Sequence, residues 1–170
     1  VELLDGKIYF VGGNDSSISH NIAERLNPVT NQWETLPNMS VERGYIAASV
    51  LNDKLYAIGG VSSGGALLSS VEIFDPETGQ WSAGPALPSA VRAGAAITLN
   101  GKILLIGGIA SSNQILDQVL ELDPATNQWS SKAPMLTARK GHELAELDGE
   151  IWVIGGFLTN PVATVEIYNP

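Results

Sequence analysis

A motif of about 48 residues occurs four times along this 170-residue chain. In each copy a hydrophobic run ends in a pair of glycines, and the first glycines of successive pairs are 47, 48 and 48 residues apart. The four pairs are Gly12-Gly13, Gly59-Gly60, Gly107-Gly108 and Gly155-Gly156. A fixed period of this length indicates stacked supersecondary units, because one unit alone cannot bury its apolar faces.

The second copy shows what one unit encodes. Four segments have strand-like patterns, at Ala47–Leu51, Lys54–Ile58, Val71–Phe74 and Gln80–Ala83. A hairpin turn signal separates the first two, and a Pro- and Gly-containing turn at 75–79 separates the last two. No segment has a helical period, so the repeat predicts four short antiparallel strands, as in one blade of a β-propeller.

Glycine has two predicted backbone roles in the repeat. The glycine pair after the second strand should adopt positive φ and let neighbouring backbones approach closely. Gly79 should take the left-handed conformation that ends the turn before the fourth strand. Asn31 and Asn127 replace Gly79 in two other copies, and asparagine also tolerates that conformation.

The repeat resembles that of the kelch family. Besides the glycine pairs, the matching features are an aromatic residue in the second strand, a tryptophan in the last strand and an arginine before the first strand. These are Tyr9, Tyr56 and Trp152, with Leu104 as the departure, then Trp33, Trp81 and Trp129, then Arg43, Arg92 and Arg139. The resemblance covers essentially the whole chain. It implies an all-β fold of kelch-type β-propeller blades, each a four-stranded antiparallel sheet, in an incomplete ring.

The length predicts only part of such a ring. The chain holds about 3.5 periods, whereas propellers of this family have about six or seven blades. We therefore expect residues 1–170 to form a single partial kelch propeller from a longer one, with approximate blades at 1–36, 37–84, 85–132 and 133–170. Open blade edges at its ends would favour self-association.

Composition excludes several functional classes. A net charge of −9 argues against a nucleic-acid partner, which requires a basic surface. The chain has no apolar run of about 18 residues, so we expect no membrane span. The chain has no cysteine and only two histidines, His20 and His142, on different repeats, so we expect no metal site and no cofactor. The compartment stays open, with a slight preference for the cytoplasm.

Loops at one rim of the ring are the expected binding surface. Those between the second and third strands are rich in Ser and Asn, with candidate contacts at Ser16, Ser17, Ser62, Ser63, Ser111, Ser112 and Asn113. We predict that Arg43, Arg92 and Arg139 share one repeat position beside these loops. Kelch substrate adaptors use arginine there to hold acidic peptides, so the resemblance implies an acidic peptide or protein partner. In the alternative interpretation, these arginines hydrogen-bond carbonyls of an adjacent blade. Separately, we expect Glu72 and Glu166, at equivalent third-strand positions, to face solvent or a neighbouring blade.

The sequence thus predicts a non-catalytic protein–protein interaction module, a scaffold or substrate adaptor that binds its partner through rim loops. No pair of carboxylates has a spacing that indicates acid–base catalysis, so we expect no enzyme activity. Two alternatives stay open. One is a fragment of a secreted or bacterial propeller enzyme or carbohydrate-binding protein, and the other is an artificial repeat protein.

Overall fold

A computed structural model describes residues 1–15 and 18–170, and all regular structure within them is β. The strands form four sheets. The first contains β1 (Glu2–Leu4), β2 (Lys7–Val11), β3 (Ala23–Asn27) and β4 (Gln32–Leu36), and the second contains β5 (Ala47–Leu51), β6 (Lys54–Ile58), β7 (Val71–Asp75) and β8 (Gln80–Ala83). The third contains β9 (Ala95–Leu99), β10 (Lys102–Ile106), β11 (Val119–Asp123) and β12 (Gln128–Lys132), and the fourth contains β13 (Glu143–Leu147), β14 (Glu150–Ile154) and β15 (Val165–Tyr168).

Each sheet is an antiparallel meander in which sequential strands are neighbours. In the second sheet, Leu51 pairs with Lys54 across the first turn and Phe74 pairs with Trp81 across the last. Three sheets have four strands and the last has three. The sheets are arranged as propeller blades, which confirms the predicted fold class, and we number them blades 1 to 4.

The predicted turn chemistry is present in the backbone. Both residues of each first hairpin turn have positive φ, with Asn52 at 51° and Asp53 at 59° in blade 2. This conformation gives the two-residue turn a twist that matches the strands. Gly79, Asn31 and Asn127 have φ of 66°, 53° and 56°, so the prediction of a left-handed residue at this position is confirmed.

The first three glycine pairs lie where two blades meet. Gly59 has a φ of +62°, and a Cβ atom placed on it would be 2.4 Å from the carbonyl oxygen of Val91 in the next blade. Gly12 and Gly107 are equally close to the carbonyl oxygens of Arg43 and Arg139, at 2.5 Å. Only glycine can meet both requirements, since any side chain would clash with the backbone of the following blade.

The hydrophobic core consists of three layers between successive blades. Tyr9 of blade 1 packs with Leu55 and Phe74 of blade 2. The next layer joins blades 2 and 3, and the last places Leu104 and Ile106 of blade 3 among the buried residues of blade 4. Because each blade has two apolar faces and one neighbour on each side, stability depends on the stacking of the blades.

The innermost strands surround a central channel. Contacts run from β1 to β5, from β5 to β9 and from β9 to β13, and residues from all four strands line a cavity of about 350 Å³. The outer face of blade 4 is open. Val165 is 50% exposed, whereas Val71 and Val119 at the same repeat position are 2% and 1% exposed. No following blade covers this face within the described residues.

Candidate interaction site

Arg43 is a buried structural residue. Its Nη1 donates to the carbonyl oxygens of Gly59 and Ser70, both at 2.9 Å, and its Nη2 donates to Ser70 Oγ at 2.8 Å. Nε and Nη2 donate to Oε1 of Glu72 at 3.1 and 3.0 Å. With its side chain 0% exposed, Arg43 cannot reach a ligand at the rim. Its partners lie in its own blade, so neither of the two sequence interpretations describes its role correctly.

Arg139 repeats this arrangement in blade 4. It donates to the carbonyl oxygens of Gly155 and Thr164 at 3.0 and 3.2 Å, and to Oε2 of Glu166 at 3.3 Å. Its side chain is 1% exposed. The expectation that Glu72 and Glu166 face solvent or a neighbouring blade is therefore wrong. Each of these carboxylates is held by the arginine of its own blade.

Arg92 occupies a different repeat position from the two buried arginines. The Gly60 N–H donates to Val91 O, as Gly13 does to Arg43 O and Gly108 to Arg139 O. Val91 is thus the blade 3 counterpart of Arg43 and Arg139, and Arg92 follows it by one residue. The prediction that all three arginines share one repeat position is wrong. Because Arg92 is offset by one residue, it does not take the place that Arg43 and Arg139 occupy in their blades.

Blade 3 replaces the buried ion pair with an apolar set. Val91 stands in place of the arginine and Leu120 in place of the glutamate, and each is 2% exposed within one core layer. Glu72 also accepts from the backbone N–H of Ser40 at 2.7 Å. The blade 3 counterpart of Ser40 is Pro88, which has no N–H to satisfy. The three substitutions therefore match one another chemically.

The guanidinium of Arg92 lies at the rim and is under-satisfied. It donates from Nη2 to Asn113 Oδ1 over 3.4 Å, and its Cζ lies 5.9 Å from the ring centroid of Tyr45. Its Nε is buried without a hydrogen-bond partner among the described residues. Because no carboxylate of the described residues neutralises this guanidinium, an anion that approaches its terminal nitrogens is attracted to it.

Lys140 adds a second cation on the neighbouring blade. Arg92 exchanges backbone hydrogen bonds with Ile109, and Lys140 does so with Phe157, which places the two cations at equivalent rim positions. Six of the nine Lys and Arg residues form salt bridges with carboxylates among the described residues. The three without one among the described residues are Lys7, Arg92 and Lys140, so two of the three occupy equivalent positions on adjacent blades of this rim.

A chain of backbone hydrogen bonds joins the blades at the rim. The Ala93 N–H donates to Tyr45 O at 2.8 Å, and the Gly141 N–H donates to Ala93 O at 2.9 Å. These three residues share one repeat position and have positive φ, with Tyr45 at 50°. An aromatic residue is strained in this conformation, and Tyr45 is 52% exposed beside Arg92. We call this surface, formed by Arg92, Lys140, Tyr45 and the loop at 109–117, the Arg92 rim.

Sequence reasoning missed Tyr45. No motif marks it, and only its place two residues after Arg43 could have drawn attention to it.

The candidate loop residues have different surroundings. Ser63 Oγ accepts from the Ser19 N–H at 3.1 Å and donates to Ser19 O at 2.9 Å, so it links the loops of blades 1 and 2. Asn113, Ser111 and Ser112 are exposed in the loop of the Arg92 rim, and Ser62 is half-buried in blade 2. The predictions for Ser16 and Ser17 lie outside the described residues.

Below the rim, the channel carries acidic side chains. Glu2 of β1 and Glu143 of β13 both line the cavity, and burial raises the pKa of Glu2 to about 7 against the opposing effect of the N-terminal ammonium group. Beside the channel, His142 is 4% exposed. Burial, assisted by the charge of Arg139, lowers its pKa to about 4.

The described residues contain neither a metal-binding cluster nor a membrane-spanning helix. No group of three or more His, Asp or Glu side chains among them is placed to bind a metal ion. None of the elements in residues 1–15 and 18–170 is a helix that could span a lipid bilayer.

Comparison with known proteins supports both the sequence repeat and the propeller fold. The family model described as the KLHDC2/KLHL20/DRC7 Kelch-repeats domain matches residues 1–156. The chain belongs to the kelch-repeat family. Kelch repeats are typically protein-interaction modules, and the blades, glycine pairs and last-strand tryptophans described above are those of this family. The solved structure of YjhT has the same fold, with a TM-score of 0.80 and 23% identity over 91% of this chain and 57% of that chain.

The kelch relatives are much longer than their matching segments. The F-box/kelch-repeat protein At1g22040 of Arabidopsis thaliana is 40% identical over 75 residues, which are 42% of this chain and 16% of that protein. Kelch repeat protein C2 of vaccinia virus is 48% identical over 58 residues, or 34% of this chain and 11% of the viral protein. Human Kelch-like protein 33 is 35% identical over 72 residues, or 42% of this chain and 14% of that protein.

Proposed function

We propose that this kelch chain is a non-catalytic protein-interaction module that binds an acidic peptide segment of a partner at the Arg92 rim. The observation that carries the proposal is the pair of unneutralised cations, Arg92 and Lys140, at equivalent positions on adjacent blades. The remaining cations, except Lys7, are engaged by carboxylates of the protein itself.

The chemistry of the rim supports a carboxylate as the ligand. The Arg92 guanidinium has one long hydrogen bond, to Asn113, and rests against Tyr45. An arginine that is positioned but not satisfied can donate to a carboxylate without first breaking a strong internal bond. In a protein with a net charge of −9, such a local cationic site also favours a particular orientation of an acidic partner.

Neighbouring groups offer further contacts. Tyr45 presents an exposed ring next to the guanidinium, and tyrosine is enriched at binding hot spots because it provides apolar area and a hydroxyl together. The exposed side chains of Ser111, Ser112 and Asn113 supply hydrogen-bond donors and acceptors on the same blade. The rim can therefore contact both the carboxylate and the backbone of an extended acidic segment.

Fluorescence polarisation with a labelled oligoglutamate peptide tests the proposal, with an oligoglutamine peptide of equal length as the neutral probe. We expect the acidic peptide to bind and the neutral one not to bind. Arg92→Ala should raise Kd by about tenfold or more, as expected for loss of a charge-assisted hydrogen bond. Lys140→Ala should raise Kd by a smaller factor.

Lys7→Ala is the matched control, since it removes another cation that has no salt bridge among the described residues. Lys7 begins β2 of blade 1, at the end of the strand away from the loop between β2 and β3. If Lys7→Ala weakens binding as much as Arg92→Ala, the peptide responds to net charge and the site is not the Arg92 rim. If the wild-type protein binds both peptides equally, or neither, the proposed function is wrong.

A further inference from the structure

The loop of blade 2 is held at its base by Arg43. The Nη1 atom donates to Gly59 O, where the loop begins, and to Ser70 O, where it ends. Arg139 joins Gly155 O to Thr164 O in the same way at the base of the blade 4 loop. A guanidinium that bridges the two ends of a loop fixes their separation, because each bond has a charged donor.

The loop of blade 3 has no such clamp. Val91 occupies the arginine position, and its side chain has no donor for the carbonyl oxygens at the loop base. Gln118, the counterpart of Ser70, has its Nε2 buried without a hydrogen-bond partner among the described residues. The base of this loop therefore lacks the guanidinium bridge of blade 2, which also satisfies the side chain of Ser70 at the end of that loop.

A second link is also specific to blade 2. Ser63 forms two hydrogen bonds with the backbone of Ser19 and so joins its loop to blade 1. The counterpart in blade 3 is Ser111, which is exposed, and no bond from Ser111 to the preceding blade is present among the described residues. The loop at 109–117 thus lacks the basal clamp of the loop at 61–69. Its tip has only the long Arg92–Asn113 hydrogen bond within blade 3 among the described residues, in place of the two bonds that join Ser63 to the preceding blade.

The internal hydrogen bonds of the two loops are nevertheless the same. Ser62 N–H donates to Ala66 O at 2.9 Å, as Ala110 N–H does to Gln114 O. The closing bonds also match, from Leu68 N–H to Gly60 O and from Leu116 N–H to Gly108 O, each at 2.9 Å. Because the local bonds are equal, any difference in amide protection must come from the anchoring of the loops.

We infer that the loop at 109–117 is the adjustable part of the Arg92 rim, and that Pro88, Val91 and Leu120 make it so. They act as positioning residues: they supply no donor that could clamp the loop, and Val91 and Leu120 keep the core layer between blades 2 and 3 apolar. If the proposed function holds, this loop, which includes Asn113, becomes ordered around the bound acidic peptide. The clamped loop of blade 2 stays unchanged.

Hydrogen exchange in the free protein tests the first part without any ligand. After correction for intrinsic rates, the Leu116 amide should exchange about tenfold faster than the Leu68 amide, the factor expected for about one hydrogen bond to a charged group. The two residues are of the same type and donate to equivalent glycines. Equal protection of the two amides would overturn the inference.

Two reciprocal variants test whether the clamp is the cause. The triple variant Pro88→Ser, Val91→Arg and Leu120→Glu gives blade 3 the blade 2 set and should slow exchange at Leu116. The reverse variant, Ser40→Pro, Arg43→Val and Glu72→Leu, should speed exchange at Leu68. If a variant does not fold, as judged by circular dichroism, the comparison of Leu116 with Leu68 in the wild-type protein still decides.

The labelled oligoglutamate peptide tests the second part. On binding, protection should rise at Leu116 and stay constant at Leu68. Protection that rises equally at both amides, or at neither while the peptide binds, would contradict the adjustable loop. Absence of binding would instead count against the proposed function, and the exchange difference in the free protein would stand independently of it.

Discussion

The Arg43 guanidinium donates to Glu72 from both Nε and Nη2, at 3.1 and 3.0 Å, where the two side chains are 0% and 7% exposed. Removal of one partner leaves the other charge buried, so Arg43→Val should lower the free energy of unfolding by about 3 to 5 kcal/mol. Urea denaturation measures this value. Ser40→Pro, Arg43→Val and Glu72→Leu together should restore about 2 kcal/mol of that loss, since this apolar set is already accommodated in blade 3.

The same triple variant should also be less sensitive to acid. Burial of Glu72 would raise its pKa, but hydrogen bonds from Ser40 and Arg43 outweigh burial and hold the pKa below its ordinary value of 4.5. The carboxylate therefore stabilises the fold above about pH 4.5, and this contribution is lost as the pH falls through the lowered pKa. A steeper loss of stability below pH 4.5 in the triple variant than in wild type would contradict this account.

A comparison of Gly59 with Gly79 distinguishes the cost of a left-handed backbone from the cost of a steric clash between blades. Their φ angles are +62° and +66°, but a Cβ atom would meet Val91 O at 2.4 Å at Gly59 and nothing within 4 Å at Gly79. Gly79→Ala should cost about 1 kcal/mol, the penalty of a left-handed alanine. Gly59→Ala should cost at least about 2 kcal/mol more, because the blades must separate. Similar unfolding midpoints for the two variants would mean that the contact relaxes freely.

The last-strand tryptophans offer a test of contacts with the segments that connect successive sheets. Trp129 Nε1 donates to Pro85 O at 2.8 Å, as Trp81 does to Pro37 O at 2.7 Å, while Trp33 is 54% exposed in blade 1. Trp129→Phe should lower the free energy of unfolding by about 1 kcal/mol through the lost hydrogen bond. Trp33→Phe should change it by less than about 0.5 kcal/mol. Equal losses, measured by urea denaturation, would show that the hydrogen bond contributes nothing.

The fold was accessible from sequence because each copy of the repeat specifies the same turns. Glycine pairs, Asn-Asp or Asp-Gly hairpins and the Gly79 position all report backbone conformation, which depends on local residues. The roles of the arginines depend on packing instead. Arg43 and Arg92 are 49 residues apart, whereas the glycine pairs that come after them, Gly59-Gly60 and Gly107-Gly108, are 48 apart. The sequence contains this one-residue offset. Only the hydrogen-bond register of the structure shows that, because of it, blade 3 has an arginine at the rim and none at the buried position.

His142 should make the stability depend on pH in a window set by its pKa. Burial lowers this pKa from 6.5 to about 4, so between these values the unfolded chain binds a proton that the folded protein does not. Stability should therefore fall as the pH drops from about 6.5 to 4, by about 3 kcal/mol in total. The raised pKa of Glu2 acts in the opposite sense, so the His142 contribution is read from a variant.

His142→Ile supplies that variant, because isoleucine occupies the equivalent position at Ile46. The difference in free energy of unfolding between variant and wild type should grow in favour of the variant as the pH falls through this window. A constant difference between His142→Ile and wild type from pH 7 to 4 would mean that the pKa of His142 is the same in the folded and unfolded protein, so that burial does not lower it.

Tyr45 connects backbone strain with the proposed binding function. Its φ of +50° is shared by Ala93 at +54° and Gly141 at +56°, so the fold requires a left-handed residue there and glycine meets that requirement best. Tyr45→Gly should therefore keep or raise the free energy of unfolding, because relief of about 1 kcal/mol of strain offsets the lost contact with Arg92. The same change should weaken binding of the oligoglutamate peptide, since the guanidinium loses the ring that positions it. Ala93→Gly relieves the equivalent strain without removing a rim side chain and should leave Kd unchanged. A Tyr45→Gly protein that binds as tightly as wild type would show that the ring has no part in recognition.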